Sequence, residues 1–351
     1  MANILDIRRR IRSVINTRQI TKAMKTVSAA KLRRAQEAAT AARPYSQMLT
    51  NVLKSLISRV DIYDSVTGLP LHPLLAEREE QNVLLILVTG DKGLAGAFNT
   101  NVLKLASRFI ASKSEQNIDI ECIGRKGRDF MRRRYPFAGR PAEDAPGSRR
   151  EARAGRVQIV GEHVGVLGKV DYKFASGLSE SVIDRYARQE IDSVYILFNE
   201  FKSVIAQRLV AERLLPMRQI GEIDVQMALE PSPEERKQQI EAAKSAGAGL
   251  RRTDTEGHEA SFGTAHVDYI YEQPPQQLFR GILPKYIGIK IFRALLESVA
   301  AEHASRMTAM DAATNNASDM IDSLTLQMNR ARQAKITKEI IEIVSGAAAA
   351  Q

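Results

Sequence analysis

The chain has 351 residues, enough for two average domains or one full core, with 5% aromatic residues and no tryptophan, a composition that suits a rod joined to a modest domain better than one large enzyme core. No window holds eighteen uncharged apolar residues, and no secretory leader is legible at the amino end, so the expected setting is cytosolic or peripheral on a membrane complex. The single cysteine, Cys122, excludes an internal disulfide and, within a strand-like run, reads as a packed core residue.

The formal net charge of +10 is unevenly placed. Residues 1–60 hold 13 Lys and Arg against 2 acidic residues, residues 290–351 hold 7 against 7, and the middle holds 31 against 32. The excess sits on the amino-terminal segment. Nucleic acid is the default partner for such a segment, yet its charges are interleaved with apolar residues and lack stacking aromatics, so an acidic protein surface is equally compatible.

That segment predicts a long helix, since no glycine occurs before Gly68. Stepping by fours and threes from Ile20 gives Met24, Val27, Lys31, Arg34, Ala38, Ala41, Tyr45, Met48, Val52 and Ser55, eight apolar positions of eleven. Ile4, Ile7, Ile11 and Val14 keep the spacing in another phase, which predicts a local change of winding across residues 16–18. Pro44 predicts a kink or break.

After a loose connector through Gly68 and Pro70, residues 83–88 are an unbroken apolar run, the pattern of a buried parallel strand. A glycine loop with Gly90, Gly93 and Gly96 follows, then an amphipathic helix over 98–110. Strands are expected at 118–123 and 194–198, helices near 127–134 and 178–189, and a polar loop at 136–155. Alternation of this kind implies an α/β domain. Residues 203–215 and 267–271 predict further extended runs. Between them, Ser232, Pro233 and Glu235 form a capping box ahead of a short helix over 233–246, and 247–263 reads as flexible. The expected division is therefore 1–60 amino helix, 61–216 central α/β domain, 217–263 insertion, 264–284 end of that domain, and 285–351 carboxyl helix.

The carboxyl end has no proline or glycine from residue 289 to 345, room for an unbroken helix of roughly 80 Å. Its seam reads Leu296, Val299, His303, Arg306, Met310, Ala313, Ala317, Met320, Leu324, Gln327, Ala331 and Ala334, nine apolar of twelve on a 3.5-residue period. Two such helices at opposite ends of one chain predict an antiparallel coiled coil. The fold class expected is thus α/β: a long coiled coil of terminal helices carrying a central Rossmann-like domain.

Chemistry is sparse. The glycine loop is neither Gly-x-Gly-x-x-Gly nor a Walker sequence and reads as a structural turn; the five histidines show no ligand spacing; no serine sits in a nucleophile elbow. No catalytic residue, metal or cofactor is expected.

The ends carry a resemblance. Asp6-Ile7-Arg8-Arg9-Arg10-Ile11, Ile20-Thr21-Lys22-Ala23-Met24-Lys25 and Ser28-Ala29-Ala30-Lys31-Leu32-Arg33 resemble the amino helix of the gamma-subunit family of proton-translocating ATP synthases. Residues 306–317, opening on Arg306-Met307-Thr308-Ala309-Met310-Asp311, and 331–340, opening on Ala331-Arg332-Gln333-Ala334-Lys335-Ile336, resemble its carboxyl helix. The resemblance implies a non-catalytic central shaft, one copy per complex, peripheral on the cytoplasmic face of a bacterial inner membrane. It turns inside a ring of α and β subunits, rests with ε on the membrane c-ring, and couples proton flow to ATP synthesis or hydrolysis on β.

It also implies partner contacts. Lys22, Met24 and Lys25 match the neck beside an acidic lever of β; Arg306 opens the first carboxyl block; Arg332 and Gln333 match a pair that catches a β loop, with Thr337 one turn on. Asp91-Lys92-Gly93-Leu94-Ala95-Gly96 is similar to the family's Asp-Arg-Gly-Leu-Cys-Gly, with Lys92 keeping charge but not the guanidinium fork. The 217–263 insertion lies where chloroplast relatives carry a redox switch, yet it holds no cysteine; a restraint on hydrolysis without a thiol switch is expected. The alternatives are a nucleotide-dependent α/β enzyme, which needs phosphate at the glycine loop, and a basic coiled-coil nucleic-acid binder.

Overall fold

The structure, a computed structural model, describes residues 4–57, 72–136, 155–201, 207–217, 224–229, 233–245 and 271–349. The connector at 68–70, most of the loop predicted at 136–155, the segment 247–263 and all but the last residue of the extended run predicted at 267–271 lie outside the described residues.

Two helices dominate. α1 (Ile4–Ile57) has 54 residues and α6 (Pro275–Ala349) has 75, about 80 Å and 110 Å at 1.5 Å per residue. They run antiparallel: Lys25 meets Asp311, and the Thr21 and Thr314 hydroxyl oxygens lie 2.8 Å apart. α1 passes through Pro44 without ending. α6 starts at Pro275, where the missing N–H costs nothing, and continues through Gly281, Pro284 and Gly288, well ahead of the expected start. Packing overrides propensity there, because Leu283, Tyr286, Ile287 and Ile291 are buried and the bare Cα of Gly288 lets Ser179 and Tyr172 come close.

The seam of α1 differs from the expected one. The positions that turn inward are Ile4, Ile7, Ile11, Val14, Arg18, Thr21, Lys25, Ser28, Leu32, Ala35, Ala39, Ala42, Ser46, Leu49, Leu53 and Leu56, all buried or half-buried and all in the phase that Ile4 begins. No change of phase occurs at residues 16–18. Ile20, Val27, Tyr45 and Met48 instead face outward, 56–62% exposed. The pattern misled because the true seam is polar or small through its middle. On α6 the seam shares Met310, Ala317, Leu324 and Ala331 with the expected one but takes Thr314, Ile321 and Met328 between them, leaving Met320 exposed.

The domain between the shaft helices is a six-stranded sheet in the order β3-β2-β1-β4-β5-β6: β1 (Asn82–Val88), β2 (Asn117–Ile123), β3 (Val157–His163), β4 (Ser193–Phe201), β5 (Gln207–Leu215) and β6 (Val225–Leu229). The first four are parallel to one another; β5 runs antiparallel to β4, and β6 antiparallel to β5. β1 and β4 are buried along their whole lengths because both sheet faces are covered. On one face α2 (Phe98–Ser112) lays Val102, Leu105, Ala106 and Phe109 against Leu85, Ile118 and Tyr195, with Met131 of α3 (Arg125–Arg134) beside them. On the other, α4 (Tyr172–Ala187), the start of α6 and the end of α1 cover Leu84, Ile86 and Val88. Asp171 caps α4, its carboxylate accepting the Lys173 N–H at 3.1 Å.

Strands β3 and β6 were not among the expected elements. β3 is irregular at Gly161, where an added Cβ would fall 1.6 Å from the Glu121 Oε2. β6 lies inside the segment expected to be an insertion, yet it pairs with β5 and extends the sheet. α5 (Pro233–Ser245) then returns to pack on α6.

Candidate functional site

The candidate contact residues fall on three levels of the shaft. At the first, Lys22 is exposed and Met24 half-buried, but Lys25 is engaged inside the chain. Its ammonium lies 2.5 Å from the Asp311 Oδ1 and 2.9 Å from the Ser245 hydroxyl, which in turn donates to the Asp311 Oδ2 at 2.9 Å. α1, α6 and the last residue of α5 are therefore tied at one point. Asp311 and Ser245 escaped the sequence reading; with the register of the pair known, Lys25 opposite Asp311 would have followed.

At the second level the glycine loop lies across both shaft helices. Ala95 and Phe98 pack with Leu32 of α1 and with Ala300, Ala301, Ala304 and Met307 of α6, where small residues allow close approach. Gly96 sits at φ +55° with its Cα against Ala309. Arg306 is 8% exposed and pairs with Glu302 at 2.5 Å, while its other contacts run to the Gly93 carbonyl at 3.4 Å and the His303 Nδ1 at 3.3 Å. It holds the loop onto the shaft. Asp91 receives the Arg125 N–H at 2.9 Å and the Gly165 N–H at 3.0 Å, bracing three turns. Lys92 alone of this group points its charge outward. Burial, with Arg306 and Lys31 nearby, depresses the His303 imidazole to about 4.

A buried ionic ladder, also missed in the sequence, fastens the domain to the shaft. Lys290 reaches the Glu212 carboxylate at 2.8 Å, Arg293 binds Glu297 at 2.7 Å and Glu200 at 3.7 Å, and Arg208 pairs with Glu200. Burial opposes the Lys290 ammonium, but Glu212 outweighs it and holds the pKa above its ordinary value; burial raises that of Glu297, only partly offset by Arg293.

The third level is the end of α6. Opposite Ile4 the seam closes at about Ala331, and from Arg332 to Ser345 every described side chain is exposed. Among the described residues nothing accompanies the helix over its remaining length of about 27 Å. Arg332, Gln333 and Thr337 lie there, with Ile336, Ile340, Ile341, Ile343 and Val344 44–71% exposed.

A shaft of this shape with a domain at one end has relatives. A family model described as ATP synthase matches residues 3–350. The ATP synthase gamma chain of Solibacter usitatus is 46% identical over 351 residues, the whole of both chains. That of Trichlorobacter lovleyi is 42% identical over 349 residues, covering 99% of this chain and 98% of the other. The chain belongs to the ATP synthase gamma-chain family. Among solved structures, the central stalk and c-ring of the Tetrahymena thermophila mitochondrial ATP synthase aligns with TM-score 0.50 at 20% identity, over 84% of this chain and 99% of that one. A chain of the Euglena gracilis mitochondrial enzyme aligns with TM-score 0.53 at 16% identity, over 99% and 94%. These two support the fold alone. As a gamma chain the protein is a rotor subunit of ATP synthase and does not itself catalyse; the catalytic sites are on the beta subunit. The enzyme and nucleic-acid readings are set aside by that membership. Among the described residues no helix is long and apolar enough to cross a membrane.

Proposed function

We propose that the chain is the single turning shaft of a proton-translocating ATP synthase, its α6 tip inside the ring of α and β subunits, its domain with ε on the c-ring at the cytoplasmic face of the inner membrane. The observation that carries this reading is the end of α6, which has no partner helix among the described residues. An apolar helix end left bare by its own chain needs an apolar sleeve, and Arg332, Gln333 and Thr337 offer polar contacts to a loop of β at its base.

The seam sorts the remaining contact residues by role. Lys22 and Lys92 present charge outward, toward acidic elements of β, together with the exposed Ile20 and Val27. Met24 lies half-buried between Lys22 and the seam. Lys25, Asp91 and Arg306 act by positioning, since each is held by partners within the chain. Rotation alters β only if each angle makes different contacts, and a shaft whose outward face is cationic on one helix and neutral on the other supplies that difference.

The test is copurification of the tagged chain with α, β and ε from its own membranes, followed by disulfide crosslinking of Arg332→Cys to cysteines introduced in the facing β loop. A crosslink that forms with one β at a time and stops multisite ATP hydrolysis is expected. A tip that reacts with no β while the complex stays active contradicts the placement.

A further inference from the structure

At the carboxyl ends of the parallel strands, a cavity of about 440 Å³ opens between α2, α5, α6 and the β4–β5–β6 half of the sheet. That volume is in the range of small-molecule sites. Its place is the topological switch point. β1 leads through α2 to β2 on one side, whereas its neighbour β4 leads to β5 on the other, so the chain parts between them and leaves a crevice.

The lining has one sign of charge. Asn101, Lys104 and Arg108 follow a three-four spacing on a single face of α2, and neither Lys104 nor Arg108 makes a hydrogen bond or ion pair among the described residues. No Asp or Glu is among the described residues that line the cavity, in a chain with 41 of them. The first turn of α2 opens onto the same space, and its cap residue, Ala97, offers no side-chain acceptor, so that apart from the Phe98 N–H, which the Ala95 carbonyl takes at 3.2 Å, the positive end of the helix has no cap.

Asn199 supplies an independent sign of a ligand site. It lines the cavity from β4, is only 7% exposed, and its Nδ2 has no hydrogen-bond partner among the described residues. A buried amide donor without an acceptor is a cost that a bound acceptor removes. The glycine loop is not the cradle here, because the Gly90 N–H is already given to the Asn99 Oδ1 at 2.9 Å.

We propose that this cavity binds a phosphate-bearing small molecule, the phosphates held by Lys104, Arg108, Asn199 and the amino end of α2. α5 forms the outer wall through Gln238 and Gln239, so the ligand bridges the α5 helix to the sheet. The same helix is pinned to the shaft by Ser245 at its far end.

The experiment is calorimetric titration of the purified full-length chain, separately with ATP and with inorganic pyrophosphate. Saturable one-to-one binding of at least one of them is expected: ATP alone means that the base contributes, and pyrophosphate alone means that the site reads only linked phosphates. The exposed double variant Lys104→Ser, Arg108→Ser should weaken it by about tenfold or more, and Asn199→Leu should do so too. Circular dichroism checks that each variant folds. If Asn199→Leu fails to fold, the double variant decides. No saturation by either compound up to about 1 mM, or wild-type affinity in the folded double variant, overturns the proposal.

Discussion

Lys25 and Asp311 stand 286 residues apart in the chain and 2.5 Å apart in the fold, with side chains 16% and 10% exposed. Removing one charge of such a pair strands the other away from water, whereas replacing both with apolar groups does not. Asp311→Asn should therefore destabilise the free chain by about 3 kcal/mol in urea unfolding, and the double change Lys25→Met, Asp311→Leu should recover most of that loss. Equal losses in single and double variants would show that the two residues do not couple. His303 gives a pH signature. Its unfolded form takes a proton near 6.5 and its folded form only at about 4, so between those values falling pH favours the unfolded chain and stability is lost. His303→Gln should flatten this part of the pH profile of stability; an unchanged profile would assign the loss to other groups.

The seam of α1 decides which face of that helix is buried. Leu32 is 1% exposed and Ile20 60%, although both sit in apolar-looking phases of the same helix. Leu32→Ala should cost about 3 kcal/mol and Ile20→Ala less than about 0.5 kcal/mol in thermal unfolding of the free chain. Similar costs would mean that the helix turns another face inward. The elements themselves were largely legible. Runs such as 83–88 and 194–198 are apolar enough to announce buried strands, and both long helices follow from glycine-free 3.5-residue patterns, although that of α1 is read from sequence in the wrong phase beyond Val14. What was not legible has physical causes. A polar middle at Arg18, Thr21, Lys25 and Ser28 hid the phase of the seam, Gly161 hid β3, and packing carried α6 through Pro284. The candidate site was legible as segments only, since the ties of Lys25 and Arg306 depend on a register that no single segment contains.

The α5 segment follows β6 in the chain. Because β6 completes the sheet, a deletion that tests the segment should begin after it. Removing residues 231–263 should leave an assembled complex that hydrolyses ATP faster and does not respond to dithiothreitol, as the segment holds no cysteine. Unchanged hydrolysis in a fully assembled complex would make the segment an idle surface element.

For the whole molecule, the parts combine into a stiff lever. The buried ladder of Lys290, Arg293, Glu297, Glu200 and Glu212 joins the sheet to α6, the glycine loop wraps both shaft helices, and the bare end of α6 extends beyond them. Torque applied to the domain is thereby carried to the tip. Among the described residues the tip is exposed throughout, so removing residues 335–351 should leave the unfolding of the free chain nearly unchanged while weakening retention of α and β. Cys122 is fully buried, with burial pushing its thiol up to about 12, so an introduced surface cysteine can be labelled alone. The most direct measurement is single-molecule rotation of the complete complex, held by its catalytic head and carrying a bead on Arg188→Cys in the domain. Stepwise rotation in one direction, driven by ATP and stopped when the tip is crosslinked to β, is the predicted result; steady ATP hydrolysis with a stationary bead would contradict it.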